Sequence, residues 1–330
     1  MLHALKRFGL NEPMLTAIQN IYTEREFVVK DGERESKARP QRAGISQGCP
    51  LSPFLFGMVM TVLMKDAVNS LSVSARRSWD TAELSETLFA DDTLLISSSG
   101  PHLESYMAAV EKHGADYGLQ IHWGKVHLVP VSTLQPVHAP NGTVIAAQTS
   151  MIYLGATVHG SGRFGSEVAR KIGHATADFN QLLSVWRQTS LSVQRKFKLF
   201  ESLVLSKLLY GVASAWLLKA DLRRLDGFHA RCLRKLLKVK AAFISRISNE
   251  GVRQMAGVQP LSSRVDGQQQ KLLQQVLNDP DKAILRDAAF QQGSNRPLTD
   301  RFIRRVGRPR QNWTDQVLKA ALLQRELANE

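Results

Sequence analysis

The chain has 330 residues, 43% hydrophobic and 22% charged, enough for roughly two or three domains with cores of their own and too balanced for wholesale disorder. Its two cysteines, Cys49 and Cys232, lie far apart, which excludes a disulfide framework and a cysteine metal site and points to an intracellular protein, in cytoplasm or nucleus, rather than a secreted one. The charge is one-sided: residues 1–159 hold 13 basic and 15 acidic residues, net −2, whereas 160–330 hold 30 and 14, net +16. That excess is the footprint expected for a polyanion, although a solvated basic domain would share it.

Residues 1–22 carry Leu2, Leu5, Leu15, Ile18, Ile21 and Tyr22, interrupted between Gly9 and Pro13, the pattern of two short helices. The start of the chain lacks the apolar core and small-residue site of a signal peptide. Phe27-Val28-Val29 ahead of Asp31-Gly32 predicts a β-hairpin over 26–45. Ser52-Pro53 opens a helix to about Ser70; its apolar run from Leu51 to Met64 stops at Lys65-Asp66, short of the roughly 20 residues that span a bilayer. Thr87 to Ile96 reads as two short strands around Asp91-Asp92, residues 102–117 as a helix, and 126–131 and 151–158 as strands, with a hairpin turn at Asn141-Gly142.

From Ser166 the pattern changes to long helices over 166–188, 192–218 and 221–240, Ser192 being an N-cap, with weaker helices over 265–278 and 313–328. Leu225, Phe228, Cys232, Leu233, Leu236 and Leu237 form a core stripe. The other face carries Arg223, Arg224, Arg231, Arg234, Lys235 and Lys238 with few acidic partners. Such a face is either simply solvated or suited to phosphate, and Arg231, Arg234, Lys235 and Lys238, three or four apart, form one stripe for nucleic acid. The fold class expected is α+β, a mixed half followed by an all-helical one.

Two motifs carry chemistry. In Phe89-Ala90-Asp91-Asp92-Thr93-Leu94-Leu95-Ile96 adjacent carboxylates interrupt an apolar segment. Neighbouring side chains on a regular strand face opposite ways, so both approach one ion only at a turn. Hard divalent cations need such oxygens, yet a solvated Asp-Asp turn has the same sequence. About 40 residues upstream lies Arg42-Ala43-Gly44-Ile45-Ser46-Gln47-Gly48-Cys49-Pro50-Leu51-Ser52-Pro53, where Gly48 permits close backbone approach and the two prolines stiffen the start of the helix. A polar loop so placed suits contact with a nucleotide and its template base.

Together these stretches resemble reverse transcriptases. Gln47 through Pro53 is similar to their template- and nucleotide-positioning block, which implies substrate contacts for Gln47, Gly48, Pro50 and Ser52, and Phe89-Ala90-Asp91-Asp92 resembles their catalytic turn. Gly118-Leu119-Gln120-Ile121-His122-Trp123-Gly124-Lys125 looks like the next block, with His122 where the family commonly has asparagine; the likeness sets Lys125 near the triphosphate. Tyr153-Leu154-Gly155 is similar to the segment that supports the primer end, which assigns Tyr153 and Gly155 to it. Leu209-Tyr210-Gly211 with Trp216, and His229-Ala230-Arg231-Cys232-Leu233-Arg234, resemble the thumb of LINE-type, non-LTR retrotransposon enzymes in particular. Gly307-Arg308-Pro309-Arg310-Gln311-Asn312-Trp313 looks like a C-terminal stretch of such elements, though a basic linker reads the same.

The resemblance implies a partial polymerase palm with part of the fingers over 1–158, a helical thumb over 159–243 and a basic C-terminal region over 244–330. It implies RNA template, DNA primer or target and deoxynucleoside triphosphates as partners, and two Mg²⁺ ions for which Asp91 and Asp92 are ligands. The family's first catalytic-aspartate block, which would precede residues like Met1 to Leu5, and most of the fingers are absent from the chain. The only aspartate ahead of the Gln-Gly motif, Asp31, sits in a turn context. The expectation is therefore an RNA-directed DNA polymerase by descent, inactive as this chain, or alternatively a catalytically dead nucleic-acid-binding remnant.

Overall fold

The computed structural model describes residues 1–41, 44–46, 48–133, 135–291, 294–298 and 313–328. It is a mixture of helices and small antiparallel hairpins, an α+β chain, and it divides into two compact units, Met1–Gln148 and Thr149–Glu330.

In the first unit α1 (Leu2–Phe8) stops at Gly9, whose φ of 113° turns its N–H back onto the Leu5 and Lys6 carbonyls. Asn11 then caps α2 (Glu12–Tyr22) by accepting from the Met14 N–H at 3.1 Å. β1 (Glu26–Phe27) pairs with β4 (Arg39–Pro40), and β2 (Lys30–Asp31) with β3 (Arg34–Glu35). The turn falls on Gly32-Glu33, one residue later than the Asp31-Gly32 signal, because Gly32 occupies the first turn position with φ 60°. The paired strands end at Pro40, short of residue 45, with one further bond from the Gln41 N–H to the Arg25 carbonyl at 2.6 Å.

α3 (Ser52–Asn69) runs as expected, and α4 (Val73–Asp80), capped by Ser72, follows without an apolar period that the sequence reveals. β5 (Leu84–Phe89) and β6 (Asp92–Ser97) form a hairpin, and Ser99 caps α5 (Gly100–Asp116). The core lies where α3 meets α5 and the base of β5, through Leu63, Met64, Ala67, Leu84, Tyr106 and Ala109. α1 joins through Leu5 and Leu55. A bidentate pair, Arg7 to both Asp66 oxygens at 2.6 Å, locks α1 to α3 at the rim. The strand expected over 126–131 is only a bridge between Leu128 and Ala147, since Pro130 cannot continue it; the Asn141-Gly142 turn is present, with Gly142 at φ 81°.

The second unit opens with a hairpin where one strand was expected over 151–158. β7 (Ser150–Tyr153) and β8 (Ala156–His159) are joined by Leu154-Gly155, both at positive φ, 48° and 78°. Then come α6 (Gly165–Gln181), α7 (Leu183–Arg187) and α8 (Val193–Phe200) with Ser192 as its cap. A π-helical turn over Glu201–Leu205 leads to α9 (Ser206–Leu209). The helix expected to reach 218 ends at Leu209, because Gly211 takes φ 69° and breaks it. α10 (Lys219–Leu236), α11 (Ala242–Ser245), α12 (Asn249–Ala256), α13 (Leu261–Asn278), α14 (Ala283–Ala289) and α15 (Trp313–Ala328) complete the unit. Its main core gathers Phe179, Trp186, Phe200, Leu208, Phe228 and Val265 from six of these helices. No described helix is long and apolar enough to cross a membrane.

Candidate functional site

The β5–β6 hairpin has two unlike faces, fixed by the alternation of side chains along paired strands. Leu84, Glu86 and Leu95 turn toward α5: Leu84 is fully buried, and the Tyr106 hydroxyl donates to the Glu86 carboxylate. Burial raises Glu86 above the usual carboxylate range, and burial with the Glu86 charge raises Tyr106. The base of the hairpin is thus anchored on α5. Its tip is not: Phe89 pairs with Asp92, leaving Ala90-Asp91 as a two-residue turn with Ala90 at φ 53°, and both Asp91 and Asp92 are exposed. The carboxylates sit at the turn that joint approach to one ion demands.

Mg²⁺ takes oxygen ligands, commonly one or two carboxylates completed by water and substrate phosphates. Asp91 and Asp92 fit that donor set in number and hardness. Among the described residues no third acidic, histidine or cysteine side chain gathers with them.

The Gly48 to Pro53 loop is built from its own hydrogen bonds. Ser52, expected to touch template, is buried: its hydroxyl donates to the Ser46 carbonyl at 2.7 Å and lies 3.4 Å from the Tyr22 hydroxyl. It shapes the loop from behind instead of facing outward. Gly48, at φ 87°, and Pro50 are exposed, and Gln47 lies outside the described residues. Arg25, which motif reading passes over, donates to the Ser46 hydroxyl and lies 4.6 Å over the Tyr22 ring. Backbone N–H groups of the helix start, Leu51 foremost, hold the Cys49 thiol below its ordinary value. Lys125 ends a 3₁₀ turn, Trp123–Lys125, and is exposed; Trp123 anchors that turn by donating to Glu111 at 2.7 Å.

In the second unit Tyr153 is half-buried and Gly155 exposed. The Gly155 carbonyl accepts from Arg170 Nη2 at 3.0 Å, and Arg170 is held at 2.7 Å by Glu167, a carboxylate only 1% exposed. Burial opposes ionisation of Glu167, but hydrogen bonds from Arg170 and Thr157 outweigh it and lower its pKa. The short turn is therefore braced on α6.

The basic stripe on α10 divides. Arg231 and Lys235 on α10, and Lys238, which lies past its end at φ 57° because the helix stops at Leu236 and not at 240, are exposed, whereas Arg234 is buried, donating to the carbonyls of Lys240 at 3.2 Å and Ile247 at 2.7 Å and to Asn249 Oδ1 at 3.1 Å. Arg234 therefore ties off the chain after α10 and leaves the stripe: spacing alone groups it with its neighbours, and only its inward partners separate it. Arg223 and Arg224 are exposed near the start of the same helix. Of the C-terminal stretch, Gly307 to Asn312 lie outside the described residues, and Trp313 Nε1 donates to the Ala213 carbonyl at 2.8 Å.

Residues 1–158 match the family described as reverse transcriptase (RNA-dependent DNA polymerase). The chain is also similar to the Retrovirus-related Pol polyprotein from type-1 retrotransposable element R2 of Popillia japonica, 22% identical over 264 residues. That alignment covers 77% of this chain and 42% of the relative, so the chain spans less than half the length of the protein it matches.

Proposed function

Because residues 1–158 are a reverse-transcriptase domain of the non-LTR retrotransposon kind, we propose that this chain binds a primed RNA template and contributes the carboxylates of an RNA-directed DNA polymerase site. The observation that carries the reading is the exposed pair Asp91 and Asp92 at the tip of a hairpin whose base is fixed on α5. These two residues would hold Mg²⁺, which supplies stabilisation of the attacking and leaving oxygens in nucleotidyl transfer. Gly48 and Pro50 present the loop to nucleotide and template, Ser52 keeps it in shape, and Lys125 offers a cation for the triphosphate. In this reading residues 1–158 serve as part of the fingers and palm, and residues 159–243 as a helical thumb.

Manganese tests the site without requiring turnover. In NMR spectra of the chain, Mn²⁺ with a deoxynucleoside triphosphate should broaden signals of residues 89–94, and the double variant Asp91→Ala, Asp92→Ala should abolish this. Broadening that persists in the double variant, or that centres elsewhere, removes the assignment.

A second reading, nucleic-acid binding without catalysis, is favoured by a different observation. The unit from Thr149 onward carries a net +16 and exposes Arg231 and Lys235 on α10 and Lys238 just past its end. Such contacts position a backbone and need no metal.

A further inference from the structure

Large apolar side chains in a helical unit are normally buried, and the residues beside Tyr210 are: Leu208 is 1% exposed and Leu209 7%. Tyr210 is 60% exposed. It stands at the end of α9, immediately before Gly211, whose positive φ turns the chain away and leaves the ring outside the core. The ring is nevertheless held. Its Cε1 lies 3.7 Å from where a Cβ on Gly155 would be, so the ring edge stands beside the β7–β8 turn. Lys171 Nζ sits 5.5 Å from the ring centroid, within cation–π range.

Lys171 is itself fixed, 7% exposed and 3.6 Å from the buried Glu167, the same carboxylate that holds Arg170 against the Gly155 carbonyl. One buried acid therefore sets both the turn next to the ring and the cation beside it. An exposed aromatic ring kept in place by a rigid charged frame, in a unit of net charge +16, has the features of a stacking surface for bases, which bind aromatic faces whatever their sequence.

We propose that Tyr210 is a stacking platform for an unpaired base of the bound strand, with Glu167, Arg170 and Lys171 as its positioning residues. The proposal rests on the nucleic-acid reading above. Its probe is a DNA primer on an RNA template whose unpaired overhang carries 2-aminopurine, a base whose fluorescence falls when it stacks. The full chain should quench it. Tyr210→Leu should lose the quenching and bind about 5- to 150-fold more weakly, the cost of one stacked base, while Tyr210→Phe keeps both and all three melt alike because the ring is exposed.

Binding by the unaltered chain without quenching, a Leu variant that quenches normally, or equal loss in the Phe variant overturns the platform and leaves nucleic-acid binding standing. Failure of the unaltered chain to bind the hybrid at all overturns both.

Discussion

Arg234 and Lys235 are neighbours in sequence with opposite surroundings, one bonded inward to three chain segments and the other exposed beside the Phe179 ring, Nζ 5.6 Å from its centroid. His229, one turn earlier on α10, is a third case: 3% exposed, stacked on Phe200, its Nδ1 without a hydrogen-bond partner among the described residues. Burial lowers its pKa from the ordinary 6.5 to about 4. The unfolded chain takes up this proton as pH drops below 6.5, whereas the folded chain resists until about 4. The unfolded state thus binds more protons across that window, and stability must fall as pH falls through it. Denaturant midpoints between pH 7 and pH 4.5 should show the decline, and His229→Gln should flatten part of it. Equal slopes for the two proteins would mean that other groups carry the pH dependence.

Element-scale electrostatics follow from the same division of residues on α10. If its outer face and the turn that follows it meet phosphate, replacing Arg231, Lys235 and Lys238 with Gln should shallow the dependence of log affinity on log salt by up to roughly three phosphate equivalents. Each is worth about 0.9 on duplex and 0.7 on single strands. Arg234→Gln alone should leave that slope unchanged but destabilise the unit by about 1.5–3 kcal/mol, the range for hydrogen bonds to a charged group, because the Lys240 and Ile247 carbonyls lose their buried donor. Titrations of an RNA–DNA hybrid across salt concentrations, with melting curves for each variant, separate the two effects. An unchanged slope in the triple variant would leave a solvated face as the account of these charges. On the β5–β6 hairpin the alternation that turns Leu84, Glu86 and Leu95 toward α5 sends Phe89 and Asp92 to the opposite face, and the turn adds Asp91. A one-residue slip in register would exchange the two faces.

For the whole molecule, the two carboxylates at that tip have no third acidic, histidine or cysteine side chain gathered with them among the described residues. The purified 330-residue chain should therefore incorporate no deoxynucleotide on a primed RNA template with Mg²⁺ or Mn²⁺, since losing one member of a group that acts as a unit is grossly costly. Incorporation above background that disappears in Asp91→Ala would show the expectation wrong. The family match ends at residue 158, ten residues past the boundary between the compact units, so the β7–β8 hairpin belongs to the matched stretch while packing with the helical unit. The sequence by itself determined whatever depends on neighbours within a turn or two: the paired short helices before Tyr22, the helix opening at Ser52-Pro53, the carboxylates at a turn, and the charge excess after residue 160. Periodicity and turn chemistry are local, and residue identity is enough to read them. Only the tertiary structure decided that residues 151–158 fold back at Leu154-Gly155, where a leucine accepts positive φ on a turn braced by Arg170 and Glu167. It likewise decided that Ser52 and Arg234 turn their polar groups inward and that the Tyr210 ring stands beside the Gly155 turn. Each outcome depends on a partner distant in the chain or on the direction in which a side chain is buried, and the spacing of residues along one segment encodes neither.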